Sequence, residues 1–365
     1  MSKNVHPHCW IKTDEKGLYC KALNAYIDPM QPVEHAIITH AHADHARAGH
    51  TNVYATAATL DIMSVRYGED HAAHTHTLAY EQTIKLHEGE LTLYPAGHIL
   101  GSAQVLIEYK GQRLVHTGDF KRQPDPTCEP FVPISCDVFV TEATFGLPVF
   151  QHPAIEDEIQ KLLSSLSRLP DACHVVGVYA LGKCQRLLIA LRQLGYHKPV
   201  YIHGALVNLC ALYKRHGIEL GELIEIASLP DLSILKGEIV LAPPSALSDR
   251  WSRKLPNVIT SMASGWMQIR ARSKQRRAEL PLIISDHSDW QDLITTIKQV
   301  DPKEVWVTHG REQALVHQAR KMGYKAKALN LVGYSDGDEE NISDAPLILA
   351  NTKGKIASKS SNQRL

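Results

Sequence analysis

The sequence lacks any long apolar run. No stretch approaches the ~20 consecutive apolar residues that a membrane-spanning helix requires. The N-terminal stretch is polar, with His6, His8 and Lys12, and contains no apolar region of the kind found in secretion signals. We therefore expect no membrane association and a cytoplasmic protein.

The sequence also lacks a cysteine framework and a net charge. The seven Cys are scattered, odd in number and without a C-x-x-C pair, which argues against a disulfide framework or a zinc ribbon. The 39 basic residues balance the 39 acidic residues, so net charge does not indicate a polyanionic partner. The sequence between Arg270 and Arg277 departs locally from this balance, because it contains five basic residues and no acidic one. This basic run is either a solvated loop or a phosphate contact.

Metal-binding side chains are concentrated at the end of one short apolar strand. The segment reads Ile37-Ile38-Thr39-His40-Ala41-His42-Ala43-Asp44-His45. Burying this many polar groups without partners costs several kcal/mol, and a bound metal removes that cost. We expect His40 and His42 to reach one ion and Asp44 and His45 to reach a second. Because the chain has 21 His, a histidine-rich surface loop is the alternative.

Further strands end in residues of the same kind. His98 follows the strand that begins at Leu91, and Asp119 follows the strand that begins at Leu114. His98 can complete the shell of the first ion, and the two oxygens of Asp119 can bridge both ions. The other strand-end residues of this kind are Glu142, His287 and His309.

The pattern of elements changes at about residue 151. From there helices and strands alternate, which predicts a parallel α/β domain inserted into the first fold. The predicted divisions are a first domain in two parts, 1–150 and 267–334, an inserted domain at 151–266, and a polar tail at 335–365 that we expect to be partly disordered. The polar stretch with His71, His74 and His76 is expected to form a loop and not a metal site.

A glycine turn in the inserted domain precedes a helix. Gly182 follows a predicted strand, and Lys183 and Arg186 lie in the first turn of the helix. Backbone N–H groups and the helix dipole favour a phosphate at such a position. Glycine turns before helices are common, so this motif alone is not specific.

These motifs resemble a known family. HAHADH is similar to the HxHxDH signature of the metallo-β-lactamase fold, and with Glu142, His287 and His309 the chain resembles the β-CASP branch of that family, which includes Artemis and the endonuclease subunit of the pre-mRNA cleavage machinery. The resemblance covers roughly residues 10–331. It implies an α/β fold, an αββα sandwich with an inserted α/β β-CASP domain. The segments PAGHILGSAQ, TEATFGLP, YALGKCQR, SGWM and SDHSDW look most like the bacterial ligase-associated DNA damage response exonucleases.

The resemblance also implies a function and a role for each residue. It implies a metal-dependent nuclease, specifically a DNA exonuclease of DNA repair with two divalent ions, Zn²⁺ or Mn²⁺. The implied metal ligands are His40, His42, Asp44, His45, His98, Asp119 and His309. Asp28 would orient a ligand by hydrogen bonding, His287 would protonate the leaving oxygen, Glu142 would orient His287, and Asp44 is also assigned to the catalytic set. Lys183 and Arg186 would bind the nucleic acid backbone, and an ATP-dependent DNA ligase or a helicase would be a partner.

Three other functions remain open at this point. One is an RNA-processing nuclease of the same branch, because the metal chemistry does not distinguish the two sugars. Another is a small-molecule metallo-hydrolase such as a lactamase or thioesterase, which the inserted domain disfavours. The third is a non-catalytic scaffold, which is disfavoured because every expected ligand position is filled. Within the site, His309 could lie outside the metal shell and His287 could be structural.

Overall fold

The structure is a computed structural model that describes residues 6–329 and residue 331. The tail at 335–365, for which partial disorder was expected, lies outside the described residues. In the part of the chain that is described, no helix is both long enough and apolar enough to cross a membrane.

The first sheet is formed by the N-terminal part of the chain. Its six strands follow each other in chain order: β1 (Ile11–Asp14), β2 (Gly17–Cys20), β3 (Ala25–Ile27), β4 (His35–Ile37), β5 (His50–Ala55) and β6 (Ala72–Thr77). Pairing is antiparallel from β1 to β3 and parallel from β3 to β6. Helix α1 (Ala57–Tyr67) connects β5 to β6, and its N-cap is Thr56, whose side chain accepts a hydrogen bond from Thr59 N.

One local expectation for this sheet is wrong. His74 and His76 lie on β6 and not in a loop. The strand pairs in parallel with β5, and the ring of His76 stacks on Tyr54 with centroids 4.4 Å apart. A polar sequence therefore forms a strand here because a neighbouring strand supplies its hydrogen bonds.

The second sheet begins with five strands. They are β7 (Thr83–Leu86), β8 (Gly89–Pro95), β9 (Ala103–Tyr109), β10 (Gln112–His116) and β11 (Val138–Ala143). Lys110 and Gly111 form the turn between β9 and β10, and their positive φ angles of +49° and +75° are those that a two-residue type I′ hairpin turn requires. β11 then pairs with β10 in parallel.

The inserted unit contains the third sheet. Its elements are α2 (Ile155–Arg168), β12 (Cys173–Gly177), α3 (Lys183–Gln193), β13 (Val200–Ile202), α4 (Gly204–Arg215), β14 (Leu223–Glu225), β15 (Ile239–Ala242), β16 (Val258–Ala263), α5 (Arg270–Gln275) and β17 (Leu280–Leu282). The strand order is β14-β13-β15-β12-β16-β17, and every pairing is parallel. The predicted insertion ended at residue 266, whereas this sheet continues through β17, so the sheet extends beyond that boundary. The predicted domain divisions otherwise stay a prediction.

The chain then returns to the second sheet. Its last elements are α6 (Trp290–Val300), β18 (Glu304–Gly310), α7 (Glu312–Lys321) and β19 (Lys325–Ala328). β18 pairs in parallel with β11 on one side and with β19 on the other, which gives the order β19-β18-β11-β10-β9-β8-β7. The segment that follows the insertion therefore completes the second sheet.

Two sheets and their flanking helices form the layers of the main domain. A core that includes Ile37, Leu93 and Trp306 lies between the first and second sheets. Residues of α6 and α7 pack on the outer face of the second sheet, and α1 with helices of the inserted unit packs on the outer face of the first. The predicted αββα sandwich with an inserted α/β domain is confirmed.

Candidate metal centre

The predicted site residues lie at the ends of strands from both halves of the chain. His40, His42, Asp44 and His45 follow β4, and the remaining ones are His98 after β8, Asp119 after β10, Glu142 on β11, His287 before α6 and His309 on β18. Carboxyl ends of parallel strands share one edge of a sheet, which is where α/β proteins place their functional loops.

The first group combines His40, His42, His98 and Asp119. Each contributes a nitrogen or oxygen atom that lies within 4.8 Å of the others. His98 Nε2 is 3.0 Å from His42 Nδ1, and His40 Nε2 is 3.5 Å from Asp119 Oδ2. These side chains are buried, except that His42 is half-buried. The structure therefore brings together the four residues that the sequence assigned to one ion and its bridge.

The second group combines Asp44, His45 and His309. Asp44 Oδ2 is 3.7 Å from His45 Nε2 and 3.9 Å from His309 Nε2. Asp119 Oδ2 is 3.3 Å from His45 Nε2, so the same oxygen faces both groups. That position is the one a bridging carboxylate needs.

The donor set fits divalent metal. Imidazole nitrogens and carboxylate oxygens are ligands for Zn²⁺ and, with more oxygen, for Mn²⁺. Among the described residues, the buried atoms His40 Nε2 and Asp119 Oδ1 have no hydrogen-bond partner. Buried polar atoms are normally paired, and a coordinated cation would satisfy both of these.

The protonation states of His40, His98 and Asp119 fit metal binding. Burial and the neighbouring imidazoles of His45 and His98 hold the pKa of His40 well below its usual value, and burial with nearby His287 does the same for His98. Burial raises the pKa of Asp119, but the charges of His45 and neighbouring histidines outweigh it and hold that pKa well below the usual value. Neutral His40 and His98 and an ionised Asp119 are in the forms that coordinate a cation. Burial lowers the pKa of His45, but the charges of Asp119 and Asp44 outweigh it and hold that pKa well above its usual value, so a cation at His45 would displace a proton.

Asp28 supports the ligand loop from behind. Its Oδ2 is 2.7 Å from His45 Nδ1 and accepts a hydrogen bond from Thr39 Oγ1 at 2.6 Å, while Oδ1 accepts one from Thr39 N at 2.8 Å. The first of these contacts directs His45 Nε2 towards Asp119 and Asp44. This is the position that the sequence assigned to Asp28.

His287 forms a pair with Glu142 beside the two groups. Its Nδ1 lies 3.0 Å from Oε2 and 3.1 Å from Oε1 of Glu142, and 3.9 Å from Asp119 Oδ2. Glu142 Oε1 also accepts a hydrogen bond from Phe120 N at 2.7 Å. Nδ1 of His287 therefore faces the carboxylate of Glu142. Asp119, Glu142 and His287 also lie close enough together to hold a metal.

Lys183 and Arg186 are not placed for the predicted contact with nucleic acid. Both are buried in α3; Lys183 Nζ is 3.5 Å from Asp286 Oδ2, and Arg186 donates a hydrogen bond to Ser285 O. Gly182, with φ +86°, allows α3 to approach Ile99, because a Cβ at Gly182 would clash with that side chain. The glycine turn therefore packs the inserted unit against the loop that contains His98 and leaves these cations bound to protein groups.

Two supporting residues were missed from the sequence. The carbonyl oxygen of Asp286 is 2.7 Å from His98 Nδ1 and fixes that ring, and a backbone partner has no sequence signal. His116 is buried at the end of β10, where its Nδ1 accepts a hydrogen bond from Gly118 N at 3.1 Å. Burial lowers the pKa of His116 to about 4. Its position three residues before Asp119 is the sequence feature that could have identified His116 as a residue of the site.

Comparison with protein families gives two matches. Residues 20–154 match the family described as "Beta-lactamase superfamily domain", and residues 281–329 match the one described as "Zn-dependent metallo-hydrolase RNA specificity domain". The residues between these matches include most of the inserted unit.

Curated relatives extend the similarity across the insertion. The chain is 30% identical over 324 residues to a protein named "Probable DNA ligase" from Opitutus terrae, covering 88% of this chain and 31% of that protein. It is 24% identical to cleavage and polyadenylation specificity factor subunit 3 of Dictyostelium discoideum, covering 76% of this chain and 42% of that protein. An RNase J-like protein of Methanocaldococcus jannaschii is 27% identical over half of each chain. This chain thus spans between 31% and 50% of the length of these relatives.

A solved structure shares the fold. The protein, described as of unknown function from Enterococcus faecalis V583, aligns with a TM-score of 0.51 at 15% identity, over 77% of this chain and 76% of that one. At this identity the likeness concerns the fold alone.

Proposed function

Because the chain belongs to the β-CASP branch of the metallo-β-lactamase superfamily, we propose that it is a metal-dependent nuclease that hydrolyses phosphodiester bonds. The observation that supports this most directly is the pair of His/Asp groups that face Asp119 Oδ2 beside the His287–Glu142 pair.

The proposed roles follow from the contacts. His40, His42 and His98 would hold one divalent ion, Asp44, His45 and His309 a second, and Asp119 would contact both. When bound, such ions lower the pKa of a water molecule and stabilise charge on phosphoryl oxygens. Asp28 holds His45 in the orientation that ligation needs. Asp44, which lies between His45 and His309, retains its assignment to both the ligand and the catalytic sets.

His287 is the proposed general acid. Glu142 accepts the Nδ1 proton of His287, which fixes the ring and favours a proton on Nε2 for transfer to the leaving oxygen. A positioned acid of this kind is useful in phosphodiester hydrolysis because the leaving alkoxide of a sugar is strongly basic.

DNA is the proposed substrate, with exonuclease action in repair. The motifs that resemble ligase-associated exonucleases support this, as does the 30% identity to a protein named as a probable DNA ligase. The alternative is RNA, which is supported by the names of the other relatives and by the family description that includes RNA specificity. A ligase or helicase partner and a cytoplasmic location belong to the DNA proposal.

The test uses matched DNA and RNA oligonucleotides, each labelled at either end, with Mn²⁺ or Zn²⁺ added. Stepwise shortening of DNA is the expected result, and the labelled end that is lost first gives the polarity. Asp119→Asn should abolish cleavage, whereas Asp171→Asn, the same change at an exposed aspartate, should leave it unchanged. Preferential cutting of RNA would replace the DNA proposal by the RNA one, and no cutting of either would contradict nuclease function.

A further inference from the structure

The inserted unit contains an open cleft of about 690 Å³ outside the metal centre. Its described lining includes three arginines, Arg253, Arg276 and Arg277, and no acidic residue. The volume lies in the range of small-molecule sites and is large enough for a nucleotide. We call it the arginine cleft.

The cleft has a cationic rim. Arg253 and Arg277 are exposed there, whereas Met262 of β16 is fully buried beneath the cleft. Guanidinium groups bind phosphate, often through two hydrogen bonds each.

A chain of contacts leads from the metal centre towards the cleft. The ring of Phe145 lies 6.1 Å from His287 and 4.9 Å from Trp266, measured between centroids. The guanidinium of Arg272 lies 5.6 Å from the ring centroid of Trp266. Arg272 and the cleft residue Arg276 are joined by a backbone hydrogen bond of 3.0 Å. The basic run from Arg270 to Arg277, for which no role was fixed from sequence, therefore ends at the cleft and is connected to His287 only through Trp266 and Phe145.

Arg277 occupies a position that ordinarily suits glycine. Its φ is +53°, in the left-handed region, just after the end of α5. Glycine adopts this conformation without a steric penalty and is the usual residue there. The chain thus places a long cationic side chain at the cleft despite a conformational cost.

We propose that the arginine cleft binds a phosphate-bearing nucleotide of the single strand that is cleaved at the metal centre, a proposal that rests on the nuclease function above. Contacts to phosphate position a strand without reading its sequence, so the cleft increases affinity for any sequence. It acts on strands long enough to reach both the metal centre and the cleft.

The first test compares two double variants with the same change in charge. Arg253→Gln/Arg277→Gln removes two cleft arginines, and Arg168→Gln/Arg215→Gln removes two exposed arginines of the same unit that do not line the cleft. Binding of a labelled single-stranded 20-mer to the full chain is measured by fluorescence anisotropy in EDTA, so that nothing is cleaved. The cleft variant should bind about tenfold more weakly, and its slope of log K against log salt should be shallower by about 0.7 for each lost phosphate contact. The control should bind like the wild type.

Two further measurements would not change if the arginines had only a structural role. One varies the length of the strand, and the other measures KM and kcat separately. The difference between the cleft variant and the wild type should disappear for dinucleotides, and for long strands KM should rise while kcat stays the same. Hydrolysis of bis(p-nitrophenyl) phosphate, which has no strand, should be unchanged. Arg277→Gly, which relieves the left-handed backbone, should keep the wild-type melting temperature or raise it and still weaken binding.

Equal loss in the two double variants, or no loss in the cleft variant, would overturn the proposal. Loss that persists undiminished for dinucleotides would do the same, because it would place the effect at the metal centre. The nuclease function fails separately, if the wild type with Mn²⁺ or Zn²⁺ cuts no oligonucleotide and does not hydrolyse the small diester. The anisotropy comparison does not depend on that result.

Discussion

One oxygen of the Asp119 carboxylate lies close to most of the histidines of the proposed metal centre. Asp119 Oδ2 lies 3.3 Å from His45, 3.5 Å from His40 and 3.9 Å from both His98 and His287, in each case measured to a ring nitrogen. An oxygen so placed can bind metal and also influence His287, so the ligand role and the acid role of neighbouring residues have to be separated by experiment.

Substitution of His287 distinguishes a general acid from a metal ligand when substrates with different leaving groups are compared. His287→Gln should lower kcat on an oligonucleotide by about 10²–10⁴-fold, the usual contribution of a general acid. On bis(p-nitrophenyl) phosphate the loss should be much smaller, because p-nitrophenolate leaves without a proton. Glu142→Gln should show the same pattern to a lesser degree, and bound metal, measured by atomic emission, should not change. Equal losses on both substrates together with lost metal would make His287 a ligand instead.

Asp28→Asn tests the orientation of His45. Asp28 has φ +45°, a region that Asn tolerates as well as Asp, so the substitution changes the charge and not the backbone. An amide holds the Nδ1 proton of His45 less strongly than a carboxylate does, and loss of such a partner weakens metal affinity by about 10–100-fold. Chelator competition measures this affinity. Asp171→Asn is the matched control, and an unchanged affinity in Asp28→Asn would contradict the proposed role.

At the scale of elements, a buried cluster of charges connects the inserted unit to the metal centre. Arg186 of α3 lies near Asp125 and Asp286, and Asp125 also accepts a hydrogen bond from the buried Lys121. The backbone of Asp286 contacts His98, and the next residue is His287. Arg186, which was expected to bind substrate, therefore holds in place the segment at Asp286 that positions His98 and His287.

Asp125→Asn should destabilise the fold, because it leaves the charges of Lys121 and Arg186 buried and less well paired. The expected loss at pH 7 is about 3–5 kcal/mol in the free energy of unfolding. Burial raises the pKa of Asp125, but Lys121 and Arg186 outweigh burial and lower it in the folded protein. The stabilisation is therefore complete above the unfolded pKa of about 3.9 and is lost as pH falls through the folded pKa. Urea unfolding of wild type and variant between pH 7 and pH 3 should show a constant gap that narrows only at the acid end. A gap that widens on acidification would refute this assignment.

Features of the fold that depend on neighbouring residues could be predicted from the sequence, whereas features that depend on residues distant in the chain could not. Thr56 capping α1 and the Lys110-Gly111 turn follow from neighbouring residues, and strand-end histidines point to metal because few other partners could satisfy them. The burial of Lys183 was not predictable, because its partner Asp286 lies about a hundred residues away. His74 lies on a strand for the same reason, since β5 supplies the pairing, and β17 joins the third sheet through a neighbour that the sequence does not identify.

At the scale of the whole molecule, the proposed ligands come from segments on both sides of the insertion. A metal bound there connects the two parts of the main domain, so it should stabilise the fold as any ligand of the native state does. At a free metal concentration of 100 times Kd the gain is about 2.7 kcal/mol. Adding EDTA should therefore lower the melting temperature by several degrees, and Zn²⁺ should restore it. Asp119→Asn should show little response to EDTA, and a wild-type melting temperature that ignores EDTA would argue against resident metal.

The position of His309 on β18 determines when the proposed metal centre can assemble during synthesis of the chain. Domains fold as the chain leaves the ribosome, at about 5–20 residues per second, starting from the N-terminus. The HAHADH loop and Asp119 emerge first, but β18 pairs with β11 only after the whole insertion has been synthesised. A chain synthesised only as far as the insertion thus contains most of the proposed ligands without His287 and His309. The proposed nuclease activity would begin only after β18 has been synthesised and has joined the second sheet.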